Sequence, residues 1–199
     1  MPKIYIVAGT PGIGKSTSGK YFVPSTVKIL NHDSLLLYFK NKSAVDYEEL
    51  SNLKANEFIL EQLNQNQDFG VELNLGFDNH YDLLRFVKKK FYQYKIEVIL
   101  FHTDNIQLCI DRAILREKFG GHAVKIHIIE QMYKNMIPLL QNNASLIHNI
   151  QLINVEFDSL KIVYPINNNL PSTYLELVNW VKVLSPETLK LESSINNRM

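Results

Sequence analysis

The residues best suited to chemistry lie within the first twenty positions. Gly9-Thr10-Pro11-Gly12-Ile13-Gly14-Lys15-Ser16, followed by Thr17, has the spacing G-x-x-x-x-G-K-[ST]. It comes directly after Lys3 to Ala8, a short apolar run of strand propensity, and Thr17 to Phe22 can continue as a helix. Strand, glycine-rich turn and helix in that order define a P-loop. The glycines let successive N–H groups point into one hollow that holds phosphate oxygens. The helix start adds unsatisfied donors and the positive end of its dipole. In such a loop Lys15 bridges the β- and γ-phosphates, and the Ser16 hydroxyl ligates Mg²⁺.

Further candidates follow the second and third strand-like runs. Val27 to Leu30 ends at Asn31-His32-Asp33-Ser34, so Asp33 opens on the same sheet edge as Lys15. A carboxylate there can take the proton of a hydroxyl attacking a γ-phosphate, hold Mg²⁺ through water, or simply cap the next helix. Asp33 or Ser34 is the expected cap. Glu72 lies in the third run, Val71 to Leu75, where a buried unpaired charge is costly. It can bind a substrate hydroxyl or a metal-bound water, or occupy an exposed strand position. Arg112 and Arg116 are four apart on one predicted helix, hence on one face, ahead of Gly120-Gly121-His122. Two guanidinium groups so placed suit phosphate binding, with the glycines letting the next segment close over them. The alternative is a solvated basic face, paired to Asp111 or Glu117.

The elements that must position these groups alternate. Helices are predicted over Tyr47–Gln65, Tyr81–Tyr94, Asn105–Lys118 and Val124–Leu140, the last ended or kinked by Pro138. Asp68-Phe69-Gly70 reads as a turn. Ile96 to Phe101 is the near-continuous apolar run of a strand covered on both faces. Ile150–Phe157 and Leu160–Tyr164 suggest a hairpin around Asp158-Ser159, and Pro171–Leu184 a final amphipathic helix. The expected fold class is therefore α/β, a P-loop NTPase three-layer sandwich with a mostly parallel sheet and helices on both faces. One domain over residues 1–199 is expected, fraying from about Ser185.

Composition excludes several classes. A net charge of +1 provides no field to recruit nucleic acid or an anionic membrane. Lys88-Lys89-Lys90 with Phe91, Tyr92 and Tyr94 reads as a solvated helix face. Cys109 is the only cysteine, so no intrachain disulfide forms. With no basic leader and no long apolar span, the expected location is the cytoplasm. The six histidines show no metal-ligand spacing, and neither a G-x-S-x-G elbow nor the Asn-Lys-x-Asp of switch GTPases occurs.

Taken together, the P-loop, Asn31-x-Asp33, Glu72 and Arg112-x3-Arg116-x3-Gly120-Gly121-His122 resemble the zeta-toxin family of P-loop kinases, in particular its small stand-alone members. The resemblance covers about residues 1–157, and Gly-Gly-His is its specific part. It implies an ATP- and Mg²⁺-dependent kinase acting on a hydroxyl of a small molecule, in the toxin members a UDP-N-acetylamino sugar, with an antitoxin protein as partner. By that resemblance residues 9–17 hold ATP and Asp33 is the base. Asp33, Glu72 and Asn74 face substrate, and Lys15, Arg112 and Arg116 serve the phosphates. A nucleic-acid 5′-hydroxyl kinase and a nucleotide-binding protein with ATP-controlled partner association are the competing readings.

The chain departs from the family pattern at three places. Leu73-Asn74 stands where Thr-Thr is usual, Ala55-Asn56-Glu57 where Ala-Gly-Arg is usual, and Glu130-Gln131-Met132 precedes Tyr133 where arginines are usual. Fewer cations imply a weaker grip on a diphosphate-bearing acceptor.

Overall fold

A computed structural model describes residues 1–42, 45–164 and 179–182. The strands are β1 (Lys3–Gly9), β2 (Lys28–Leu30), β3 (Phe69–Leu73), β4 (Lys95–His102), β5 (Asn149–Val155) and β6 (Leu160–Tyr164). They form one sheet in the order β2-β3-β1-β4-β5-β6. The first five are parallel, and β6 runs antiparallel to β5 as the expected hairpin. The helices are α1 (Lys15–Ser18), α2 (His32–Asn41), α3 (Tyr47–Asn64), α4 (Asp82–Lys90), α5 (Ile106–Lys118), α6 (Ile126–Asn142) and α7 (Asn179–Lys182).

Strand alternation divides the core into two layers. Ile4, Ile6 and Ala8 of β1 face one side with Val71, Val98, Leu100 and Leu152. There they meet Leu63 of α3, Leu84 and Val87 of α4, and Met136 and Leu140 of α6. Tyr5 and Val7 face the other side with Ile99, Phe101 and Ile153, covered by Leu108, Cys109, Ile110 and Ala113 of α5. Burying both faces is what the continuous apolar runs of β1 and β4 require. The expected α/β three-layer arrangement with a mostly parallel sheet is the one observed.

Several boundaries differ from expectation for local reasons. Phe69-Gly70, read as a turn, belongs to β3, which ends at Leu73. A Cβ at Gly70 would lie 2.9 Å from the Ile29 side chain, so this glycine marks a close strand neighbour. Pro138 does not end α6, which continues to Asn142. Met136 and Leu140, on either side of it, are fully buried, and their packing outweighs the lost backbone bond. The helix expected after the P-loop is a single α turn followed by a 3₁₀ turn over Gly19–Phe22. Of the last predicted helix only Asn179–Lys182 is described; its remainder and the tail from Ser185 lie outside the described residues. No helix among the described residues is long and apolar enough to cross a membrane.

Candidate active site

The parallel strands all deliver their carboxyl ends to one edge, and the chemistry-bearing residues collect there. β1 ends in the P-loop, which rests directly on α5: a Cβ at Gly12 would stand 2.1 Å from the Cys109 carbonyl oxygen. Gly12 and Gly14 take φ values of 85° and 105°, open to glycine at little cost. The Lys15 ammonium folds back over the loop, donating to the carbonyls of Gly9 at 2.6 Å and Thr10 at 3.3 Å and to Asn74 Oδ1 at 2.8 Å. Burial lowers its pKa to about 8, even though the Glu72 and Asp33 carboxylates act in the opposite sense. It is a desolvated cation held where phosphate oxygens would relieve it.

The acidic side is assembled from β2, β3 and α2. Ser16 Oγ donates to Glu72 Oε2 at 2.7 Å and accepts from Asn31 Nδ2 at 2.9 Å. Asn31, rather than Asp33 or Ser34, caps α2: its Oδ1 accepts from the Ser34 N–H at 3.0 Å. Asp33 therefore sits in the first turn, its carboxylate free of capping. Arg116 reaches it from α5, with 3.6 Å between Nη1 and Asp33 Oδ2. The other terminal nitrogen of Arg116 donates to the His122 carbonyl at 2.9 Å. The Gly120-Gly121 turn brings that carbonyl back; a Cβ at Gly121 would lie 2.5 Å from Arg116 Cγ. The Nε of Arg116 is buried and has no hydrogen-bond partner among the described residues.

Two cavities meet at these groups. One, of about 670 Å³, is lined by residues 12–18 of the P-loop, Arg112, Arg116 and the β5–β6 turn. The other, of about 450 Å³, is lined by Asn31, Asp33, Glu72, Asn74, His80 and the segment from His122 to Lys125. Lys15, Ser16 and Arg116 border both. The sequence-expected residues thus converge, with one difference of posture: Arg112 donates to the Phe157 carbonyl at 2.8 Å and that of Glu156 at 3.4 Å, tying down the turn after β5.

Asn31 and His80 line the smaller cavity although the sequence assigns neither an individual role. Asn31 precedes by two and three residues the Asp33 and Ser34 at which the sequence places the helix cap. His80 gave no signal, because its neighbourhood is made by a 3₁₀ turn after β3. Its Nδ1 accepts from the Phe77 N–H at 3.3 Å, which leaves the proton on Nε2. Burial, and secondarily the charge of Lys15, lowers its pKa, so it lines the cavity as a neutral donor.

The family departures fall differently. Asn74 enters the site through Lys15. Glu57 instead lies on an exposed face of α3, 2.6 Å from Lys54, and borders neither cavity. Glu130 and Gln131 are exposed on α6, whereas Met132 is buried and lines the smaller cavity.

For a hard divalent cation the nearby donors fit. The Ser16 hydroxyl and the Glu72 carboxylate are oxygen ligands 2.7 Å apart. No cluster of three or more His, Cys, Asp or Glu able to cage an ion occurs among the described residues.

No protein-family model matches the chain, and no curated protein matches it in sequence. Solved structures do. A chain of the PezAT chromosomal toxin–antitoxin system of the human pathogen Streptococcus pneumoniae aligns with a TM-score of 0.59 at 15% identity, over 82% of this chain and 72% of that one. A chain of the Pnkp1/Rnl/Hen1 RNA repair complex gives 0.55 at 20% identity, over 71% of this chain and 46% of that one. A Chloroflexus aurantiacus protein, provisionally assigned as a kinase, gives 0.52 at 17% identity, over 66% and 78%. The chain shares with these structures the mostly parallel α/β sandwich in which the first strand runs into a P-loop. Among them it is similar in fold to a chain of the PezAT toxin–antitoxin system, in line with the family its motifs resemble.

Proposed function

We propose that the chain is a Mg²⁺-ATP-dependent phosphotransferase that phosphorylates a hydroxyl of a small molecule. One observation carries the reading: Lys15, Ser16 and Arg116 border both cavities, so a γ-phosphate at the P-loop would lie between a donor side and an acceptor side. In this reading Gly9 to Thr17 hold the triphosphate. The acceptor oxygen attacks the γ-phosphorus while Asp33 takes its proton, the bond to the bridging oxygen breaks, and ADP leaves. Lys15 and Arg116 meet the charge that spreads over the transferring group. Mg²⁺ held by Ser16, with Glu72 behind it, would neutralise phosphate oxygens. Glu72, Asn74 and the neutral His80 orient the acceptor, and Arg112 acts from the turn it secures.

For the acceptor, the zeta-toxin likeness supports a UDP-N-acetylamino sugar, and an antitoxin as protein partner. Purified protein incubated with labelled ATP, Mg²⁺ and a panel of sugars, nucleotide sugars and 5′-hydroxyl oligonucleotides tests the proposal. Transfer lost in Lys15→Ala and on omitting Mg²⁺ supports it. Tight ATP binding with no transfer to any hydroxyl would instead favour nucleotide-controlled partner association.

A further inference from the structure

Asn31 stands at the junction of β2 and α2, and both ends of its amide are used. Its Oδ1 accepts from the Ser34 N–H at 3.0 Å, and its Nδ2 donates to Ser16 Oγ at 2.9 Å. A backbone N–H can only donate, so the amide cannot be turned end for end without losing the cap. The residue that caps the helix of Asp33 therefore presents a donor to the P-loop.

The Ser16 hydroxyl has one proton and two lone pairs. The proton goes to Glu72 Oε2 at 2.7 Å, and Asn31 fills one lone pair. The hydroxyl is thus held from two sides, with its second lone pair left for a cation. The support on which this rests is slight. β2 is an edge strand of three residues, paired to β3 over Lys28–Leu30. Among the described residues no other hydrogen bond joins residues 28–41 to the P-loop. Asp33, two residues beyond Asn31, takes its place from that same junction.

Building on the phosphotransferase reading, we infer that Asn31 is a positioning residue that ties the Ser16 hydroxyl to the helix carrying Asp33. Its Nδ2 sets the hydroxyl in the orientation that receives the cation of Mg²⁺-ATP. Its Oδ1, by capping α2, fixes the turn in which Asp33 sits. Asn31 acts through those two residues and not on the reacting atoms.

Two substitutions separate the ends of the amide. Asn31→Ser keeps a capping oxygen but is too short to serve Ser34 and Ser16 together; Asn31→Ala removes both bonds. In thermal melts of the full chain Asn31→Ser should match wild type, and Asn31→Ala should melt about 3 °C lower. Calorimetry with ATP and Mg²⁺ should show binding weakened about fivefold in both variants, the scale of one hydrogen bond. ATP in EDTA should bind wild type and both variants alike. In a Ser16→Ala background Asn31→Ser should cause no further loss, because the bond it removes is already gone. Additive losses in that background overturn the inference, as does a weakening of ATP that is the same with Mg²⁺ and in EDTA. Phosphate transfer by the wild type alongside such additive losses would remove this inference alone and leave the phosphotransferase reading standing. No binding of Mg²⁺-ATP to the wild type overturns both.

Discussion

Arg116 and Asp33 face each other across the mouth of the P-loop, 3.6 Å between guanidinium nitrogen and carboxylate oxygen. They come from α5 and α2, far apart in sequence, and the pair stands beside the point where the two cavities join. Its worth to stability is small, because both side chains are more than a third exposed. Its worth to transfer should be large. Asp33→Asn is expected to lower kcat about 10²- to 10⁴-fold with ATP affinity little changed, the signature of a lost general base. Arg116→Ala should lower kcat by about 10³-fold or more, and Arg116→Lys should restore only part, because one ammonium does not serve both Asp33 and the His122 carbonyl. Steady-state kinetics with ATP binding measured in parallel check both; an Asp33→Asn enzyme as fast as wild type would remove Asp33 as the base.

The P-loop glycines should differ sharply from one another. At Gly12 a methyl group meets the Cys109 carbonyl at 2.1 Å, so Gly12→Ala must push the loop off α5. At Gly14 no atom of the described residues other than its chain neighbours lies within 4 Å of such a methyl group, and alanine meets the strain of a φ of 105°. Gly14→Ala is expected to cost about 1–2 kcal/mol, and Gly12→Ala clearly more together with nucleotide binding. Denaturant unfolding of the two variants side by side decides this; equal losses would show that the loop does not rest on α5.

Lys15 gives nucleotide binding a proton signature. Its pKa in the free protein is lowered to about 8, so it is partly neutral at mildly alkaline pH. A bound triphosphate favours the charged form and raises that pKa. Binding at pH 8 to 9 must then take up protons, and affinity must fall as pH rises through 8. Calorimetry in two buffers of different ionisation enthalpy measures the uptake. Lys15→Arg, cationic at every such pH, should show none.

His102 sets an acid limit to stability. It is 3% exposed at the end of β4, stacked 4.8 Å from the Tyr133 ring and edge-on to Trp180. Burial lowers its pKa from 6.5 to about 4. Between those values the unfolded chain binds the proton and the folded chain does not, so stability falls as pH drops from 6.5 towards 4, by about 3 kcal/mol at most from this group. His102→Phe keeps a ring there and should flatten that part of the profile. Thermal melts of both proteins from pH 7 to pH 4 read the difference, and parallel profiles would assign the acid sensitivity elsewhere.

Local chemistry made much of this chain legible beforehand. G-x-x-x-x-G-K-S after an apolar run specifies a strand, a phosphate-sized turn and a helix start, because only glycine tolerates the loop's backbone angles. The double-faced apolar runs of β1 and β4 required a covered parallel sheet. A parallel sheet in turn sends Lys15, Asp33 and Glu72 to one edge. What the sequence left open depended on contacts between segments distant along the chain. Asn31 took the cap that Asp33 also suited, and Pro138 stayed within α6 because buried neighbours held the helix through it. Tertiary packing turned Arg112 to the β5–β6 turn and Arg116 to Asp33, although spacing put both on one face. It also left Glu57 outside both cavities and brought His80 into one. Spacing fixes which face of an element a residue occupies; only the folded chain decides what stands opposite it.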